Sequence, residues 1–119
     1  MEMDLEIKVR SYSGASIIDL VGEVDAYTSG RFREMMVSVI EDGARNLVVS
    51  MTNVQYIDSS GLGALVGGLK RIREKDGRIS IVCDRPQILK VFEITGLERV
   101  FPIYDNEKDA VERTDDTGA

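Results

Sequence analysis

The segment Leu47-Val48-Val49 is apolar at every position and rich in β-branched side chains. A strand with one wet face alternates apolar and polar residues, whereas an uninterrupted apolar run is typical of a strand covered on both faces. Such strands belong to parallel sheets with helices packed against them. This segment therefore predicts a central strand in an α/β fold.

The first 22 residues predict an antiparallel hairpin ahead of that strand. Residues 5–10 alternate strictly between apolar and charged side chains, and residues 15–21 are mostly isoleucine, leucine and valine. The turn-forming residues 11–14 separate them by a short connection, which favours antiparallel pairing. We expect Gly22 to end the second strand.

Apolar residues recur at spacings of three and four in two places, which predicts two helices. The first helix carries Phe32, Met35, Met36, Val39 and Ile40, and the second carries Leu62, Leu65, Val66, Leu69 and Ile72. Thr28 or Asp25 is the expected cap of the first helix. The third helix is expected to begin at Pro86 with Asp84 as its cap, and to end at Gly96.

Strands and helices alternate after the hairpin, with further strands expected at 79–82 and 100–103 and a short helix at 107–111. This order predicts a mixed, mostly parallel sheet of four to five strands, opened by the antiparallel hairpin and packed against helices. A chain of 119 residues fits one domain, which we place at residues 1–113. Residues 114–119 are expected to form a disordered tail.

Composition excludes several classes of function. Fifteen basic and twenty-one acidic residues give a net charge of -6, which disfavours binding to nucleic acid or to an anionic membrane surface. The chain has no histidine and one cysteine, Cys83, so neither a Ser-His-Asp arrangement nor an ordinary zinc site can form. We expect no enzymatic activity, cofactor or metal. With no secretory signal and no membrane-length apolar run, a cytoplasmic location is expected.

The segment Asp58-Ser59-Ser60-Gly61 stands where the second helix begins. Backbone N–H groups at a helix N-terminus lack intrahelical partners, and the helix dipole is positive there. A phosphate on Ser59 would be tolerated at such a position. The sequence allows a second interpretation, in which Ser59 and Ser60 only cap the helix.

Glycines occupy positions 61, 63, 67 and 68 of the same helix. An interior helical glycine costs about 1 kcal/mol relative to alanine, so Gly67 and Gly68 require an offsetting reason. Either they allow close packing against the sheet, or they leave a bare surface for a partner. The sequence does not choose between these two explanations.

Three segments together resemble the anti-sigma factor antagonists, which are single-domain STAS proteins. Residues 57–63 (Ile-Asp-Ser-Ser-Gly-Leu-Gly) look like the signature of that family, and residues 22–28 and 92–97 are similar to its second motif and its closing helix. The order and spacing match over roughly residues 4 to 112. Ser29-Gly30 departs from the alanine-proline found in many members.

The resemblance implies a switch that works by exchanging partners. The unmodified antagonist would bind an anti-sigma factor that is also a serine kinase, and thereby release a sigma factor. Phosphorylation of Ser59 by that kinase would end binding, and a metal-dependent serine phosphatase would restore it. The expected partner-binding residues are Asp25, Tyr27, Thr28, Asp58, Ser60, Gly61, Leu62 and Gly63. We expect a monomer.

Other interpretations stay open from the residues alone. A STAS subunit of another signalling or transport assembly is the main alternative function. Asp25 is either an exposed loop acid or a partner contact, and Tyr27 either packs beside Ser59 or fills the edge of the first helix. The basic run 70–75 is either a solvated helix end or a site for acidic groups, and Cys83 is expected in the core.

Overall fold

The computed structural model describes residues 4–113, and within them one five-stranded sheet forms. Its strands, in spatial as in chain order, are β1 (Leu5–Tyr12), β2 (Ala15–Val24), β3 (Asn46–Ile57), β4 (Arg78–Val82) and β5 (Ile103–Tyr104). The helices are α1 (Ser29–Glu41), α2 (Ser59–Arg73), α3 (Pro86–Thr95) and α4 (Glu107–Arg113), with a 3-10 turn at Leu97–Arg99. β1 and β2 are antiparallel and every later pair is parallel, which confirms the predicted fold class.

The helices divide unequally between the two faces of the sheet. From β2 to β5 each strand lies beside the one before it, always in the same direction across the sheet. Because the connections between parallel strands are right-handed, their helices all lie on the same face. Accordingly α1, α2 and α3 enclose the main core, which is built around Phe32, Met36 and Phe92. On the opposite face Ala110 and Val111 of α4 cover a smaller cluster.

Glycine 22 does not end β2, contrary to the prediction. The strand continues to Val24, and its pairing with β3 shifts register on either side of Gly22. Gly22 has φ of +121°, and a Cβ placed there would lie 2.4 Å from the backbone oxygen of Asp4. The glycine therefore permits a bend within the strand by allowing close approach of β1.

β3 is much longer than the apolar run that predicted it. β4 pairs with β3 only along residues 46–50, whereas β2 stays paired with β3 as far as Val24 and Ile57. The ends of β2 and β3 thus project beyond β4, side by side. Because the strands are parallel, the loops that follow them begin next to each other.

Two smaller expectations also needed correction. The cap of α3 is Arg85 rather than Asp84, and its guanidinium donates to the backbone oxygen of Thr52 at 2.7 Å. The expected strand at 100–103 is reduced to Ile103–Tyr104, because the 3-10 turn occupies the chain before it. The predicted tail at 114–119 lies outside the described residues.

Candidate functional site

The N-terminus of α2 is capped by Asp58, not by a serine. The Oδ1 atom of Asp58 accepts hydrogen bonds from the backbone amides of Ser60 at 2.9 Å and Gly61 at 3.3 Å. The backbone of Asp58 is extended, as is usual for an N-cap residue. Its backbone oxygen accepts a hydrogen bond from the amide of Leu62 at 3.0 Å. The interpretation in which the two serines serve as caps is therefore wrong.

Ser59 is consequently the first residue of the helix, and its side chain is exposed. Its hydroxyl makes no hydrogen bond to the part of the chain that the structure describes. Ser60 follows it, and its side chain is partly buried. Of the two hydroxyls, that of Ser59 is the more accessible to a protein that approaches the end of the helix.

The loop between β2 and α1 is organised by Asp25 and Thr28. Oδ1 of Asp25 accepts from the amides of Tyr27 at 2.9 Å and Thr28 at 3.1 Å. The Thr28 hydroxyl accepts from the amide of Asp25 at 2.9 Å and donates to the oxygen of Glu23, also at 2.9 Å. Thr28 occupies the expected N-cap position of α1, but its side chain bonds to none of the helix amides.

A backbone bond joins this loop to the start of α2. The amide of Asp58 donates to the oxygen of Val24 at 3.2 Å, which continues the pairing of β2 with β3. Gly61 then packs tightly against both strands, since a Cβ there would lie 2.7 Å from a methyl of Val24 and 2.8 Å from the side chain of Ile57. The two loops therefore form one continuous end of the molecule.

The glycines of α2 divide into two groups. Gly61 and Gly68 are buried, and a Cβ on Gly68 would lie 2.6 Å from the sulfur of Met36 on α1. Gly63 and Gly67 are exposed, and a Cβ on either would meet nothing within 4 Å. Packing within the fold thus accounts for the first group and leaves the second without an internal explanation.

Ser59, Gly63 and Gly67 follow one another at intervals of four residues, so they share one face of α2. Tyr27, from the adjoining loop, is 92% exposed, the highest value among the large hydrophobic side chains of residues 4–113. It packs neither beside Ser59 nor along the edge of α1, the two positions that the sequence had allowed. We refer to Tyr27, Ser59, Gly63 and Gly67 together as the Ser59 surface.

The predicted partner-binding residues differ widely in exposure. Tyr27 and Gly63 are exposed, and Asp25, Asp58 and Ser60 are partly buried; Thr28, Gly61 and Leu62 are buried. The last three can shape the surface but offer little area to contact. The residue that the sequence analysis missed is Val24, whose oxygen and side chain join the two loops; an apolar residue in a strand carries no signal of such a role.

The remaining candidate residues are Cys83 and the basic run 70–75, and neither shows a sign of a chemical role. Cys83 is 2% exposed, and burial raises the pKa of its thiol, as expected for a core residue. Within the basic run, Arg71 pairs with Glu41 at 3.1 Å across α1 and α2. Residues 4–113 contain no group of three metal-ligating side chains, and none of their helices is long and apolar enough to cross a membrane.

The sequence of nearly the whole described region is similar to that of known proteins. The family model described as the STAS domain matches residues 6–110. A relative named anti-sigma F factor antagonist, from Paenibacillus polymyxa, is 36% identical over 110 residues, covering 92% of this chain and 94% of that protein. The match extends over both loops of the site.

Solved structures show the same architecture. An anti-sigma factor antagonist from Mycobacterium paratuberculosis superposes with a TM-score of 0.86 at 24% identity, covering 94% of this chain and 95% of that one. SpoIIAA superposes in its unphosphorylated form and, as the Bacillus cell fate determinant, in its phosphorylated form, with TM-scores of 0.71 and 0.70. Their identities are 21% and 24%, each over 91% of this chain and 96% and 98% of theirs. The chain belongs to the STAS domain family, and within it to the anti-sigma factor antagonists.

Proposed function

We propose that this protein binds an anti-sigma factor in its unmodified form and that phosphorylation of Ser59 switches the binding off. The observation that carries the proposal is the exposed Ser59 hydroxyl at the first position of α2. Asp58 takes over the capping of the helix, which leaves this hydroxyl without a structural task. A kinase can therefore modify it without removing a bond that holds the fold together.

A phosphate at Ser59 has little net effect on the isolated fold. It adds about 1.5 to 2 negative charges. The helix dipole favours negative charge by about 0.3–1 kcal/mol, whereas the neighbouring carboxylates of Asp58 and Asp25 oppose it. Fold likeness to both forms of SpoIIAA supports this expectation, because a phosphorylated protein of that name keeps the architecture described above.

The same phosphate has a large effect on docking. In a complex that covers Ser59, the charged group loses its water, and an unpaired buried charge costs several kcal/mol. Since 1.4 kcal/mol corresponds to a factor of ten in affinity, a loss of a hundredfold or more is expected. Asp58, which precedes Ser59, and Asp25, which follows the Val24 bonded to Asp58, are both acidic and offer no compensation. The switch therefore operates by blocking the interface, not by refolding.

Two proteins complete the proposed cycle. The anti-sigma factor is itself the serine kinase that transfers phosphate to Ser59, and a metal-dependent serine phosphatase removes it. The exposed hydroxyl at the end of a helix suits both enzymes, since neither has to unfold the antagonist to reach it. The unmodified protein competes with the sigma factor for the anti-sigma factor, so dephosphorylation releases the sigma factor.

Substitution of Ser59 tests this proposal. Binding is measured by calorimetry to the anti-sigma factor kinase of the same organism, with ATP present in a parallel reaction that is analysed by intact mass. We expect Ser59→Ala to bind and to gain no phosphate, and Ser59→Asp to bind about a hundredfold more weakly or worse. Ser38→Asp is the matched control, because Ser38 is exposed on the side of α1 that faces Ile7.

The control should bind as the wild type does and should accept one phosphate. Ser59→Asp binding with wild-type affinity would refute the charge blockade. A wild type that acquires phosphate elsewhere, while Ser59 stays unmodified, would refute the choice of residue.

A further inference from the structure

A buried threonine directly follows the exposed tyrosine of the Ser59 surface. Thr28 is 1% exposed, whereas Tyr27 is 92% exposed. A buried hydroxyl has to be hydrogen-bonded to avoid a substantial free-energy penalty. The partners of this hydroxyl therefore reveal what Thr28 stabilises.

The hydrogen bonds of Thr28 point toward the loop and not toward the helix. A threonine that caps a helix accepts from the second or third helical amide, and the Thr28 side chain makes no such bond. Its hydroxyl donates to the Glu23 oxygen and accepts from the Asp25 amide, both at 2.9 Å. It also lies 3.2 Å from Oδ1 of Asp25, the atom that accepts from the Tyr27 amide.

These contacts connect the end of β2, the Asp25 carboxylate and the backbone of Tyr27 through one hydroxyl. β2 is in turn joined to Asp58 by the bond from the Asp58 amide to the Val24 oxygen. The position of Tyr27 relative to Ser59 thus depends on a short chain of bonds, of which Thr28 is the only fully buried polar side chain. Replacing the hydroxyl by a methyl group would leave the Asp25 amide without its acceptor.

We propose that Thr28 is a positioning residue of the Ser59 surface: its buried hydroxyl holds residues 25–28 in the conformation that presents Tyr27 to the partner. The proposal rests on the proposed function, because Tyr27 needs a fixed position only if a partner docks there. A preordered loop backbone avoids part of the entropy cost of ordering during association, which improves affinity without any new contact. Thr28 acts through Tyr27 and does not touch the partner.

Amide hydrogen exchange by NMR tests the first half, with no partner present. In Thr28→Val, which keeps the shape and removes the hydroxyl, the amides of Asp25 and Tyr27 should exchange about tenfold faster or more. Thr28→Ser, which keeps the hydroxyl, should stay within about threefold of the wild type. Thr95→Val is the matched control on α3, where the Thr95 hydroxyl donates to the Val91 oxygen at 2.8 Å, and it should leave both amides unchanged. Unaltered exchange in Thr28→Val would overturn the proposal.

A double-mutant cycle with Tyr27→Ala tests the second half, measured as affinity for the anti-sigma factor kinase of the same organism. Thr28→Val should weaken binding about tenfold when Tyr27 is present and less than about twofold in the Tyr27→Ala background. Equal losses in both backgrounds would show that Thr28 does not act through Tyr27. A wild type that binds no anti-sigma factor would refute the proposed function instead, and the exchange measurement would still decide whether Thr28 orders the loop.

Discussion

Asp58 is one residue that serves two neighbouring parts of the site. Its carboxylate satisfies two amides at the start of α2, and its backbone joins β3 to the end of β2. If a serine capped the helix instead, the hydroxyl that we propose as the phosphate acceptor would be part of the helix cap. Separating the cap from the modified residue allows Ser59 to change its charge while α2 keeps its first turn.

Substitutions of Asp58 distinguish its hydrogen bonds from its charge. Asp58→Ala removes the cap and should lower the free energy of unfolding by about 1 kcal/mol. Asp58→Asn keeps an acceptor oxygen, and asparagine caps as well as aspartate, so we expect its stability within about 0.5 kcal/mol of the wild type. Urea denaturation followed by circular dichroism measures both. An asparagine variant as unstable as the alanine variant would mean that the negative charge, and not the cap, matters.

At the scale of an element, α2 has a different role on each side. Its buried side approaches β2, β3 and α1 closely at Gly61 and Gly68, and these contacts determine where the helix lies. Its exposed side is bare at Gly63 and Gly67, where the fold has room for a larger residue. Glycine in a helix interior weakens the helix, so the bare side lowers the stability of the isolated protein. The proposed docking of a partner on the Ser59 surface would give these two glycines a reason, because they let it approach closely.

The two sides of α2 should respond oppositely to alanine. Gly67→Ala should raise the free energy of unfolding by about 1 kcal/mol, because helix propensity improves and nothing clashes. It should also weaken binding to the anti-sigma factor kinase, since the added methyl group stands on the Ser59 surface. Gly61→Ala is the contrasting variant: its Cβ would lie 2.9 Å from the Val24 oxygen, and overpacking of this kind costs about 1–3 kcal/mol.

Urea denaturation measures the free energy of unfolding of Gly67→Ala and Gly61→Ala. Calorimetry measures their affinity for the anti-sigma factor kinase. A Gly67→Ala protein that is more stable and binds normally would remove Gly67 from the Ser59 surface. A Gly61→Ala protein as stable as the wild type would show that the helix can move away from the strands without loss.

At the scale of the whole molecule, the proposed switch requires a scaffold that does not itself change. α1, α2 and α3 share one continuous core. On the other face, Arg10 joins the hairpin to α4 by donating to Asp19 and to Glu107, and these bonds raise the pKa of Arg10. The Ser59 surface occupies the end where β2 and β3 project beyond this body. A negative charge added at Ser59 would therefore change the electrostatics of this exposed surface and leave the packing of the core unchanged.

Phosphorylation should therefore leave global stability nearly unchanged. The net charge goes from -6 to about -8, and the local contributions to folding are each below about 1 kcal/mol. We expect the melting temperatures of the two forms to agree within about 5 °C. Calorimetric scans of protein with and without phosphate at Ser59 provide the measurement, with Ser59→Ala treated identically as the control. A much larger shift, or altered amide resonances throughout α3 and β4, would indicate refolding instead of blockade.

Local pattern was enough to predict the class of fold and the start of the second helix. Apolar runs and helical spacing predicted the mixed sheet, and the motif around Ser59 marked the start of the second helix, because both depend on residues that are neighbours in the chain. The same logic failed where stability comes from distant partners. β3 extends through polar residues to Ile57 because β2 pairs with it, and Gly22 bends a strand because Asp4 lies against it.

Tertiary structure alone decided which residues of the candidate site are exposed. The sequence treats Tyr27 and Thr28 alike, as adjacent residues of one motif, yet one is exposed and the other is buried. It also treats Gly67 and Gly68 alike, although only Gly68 packs against Met36. The physical reason is that composition and spacing encode the period of a helix or strand, whereas the exposure of a side chain depends on which other elements pack around it.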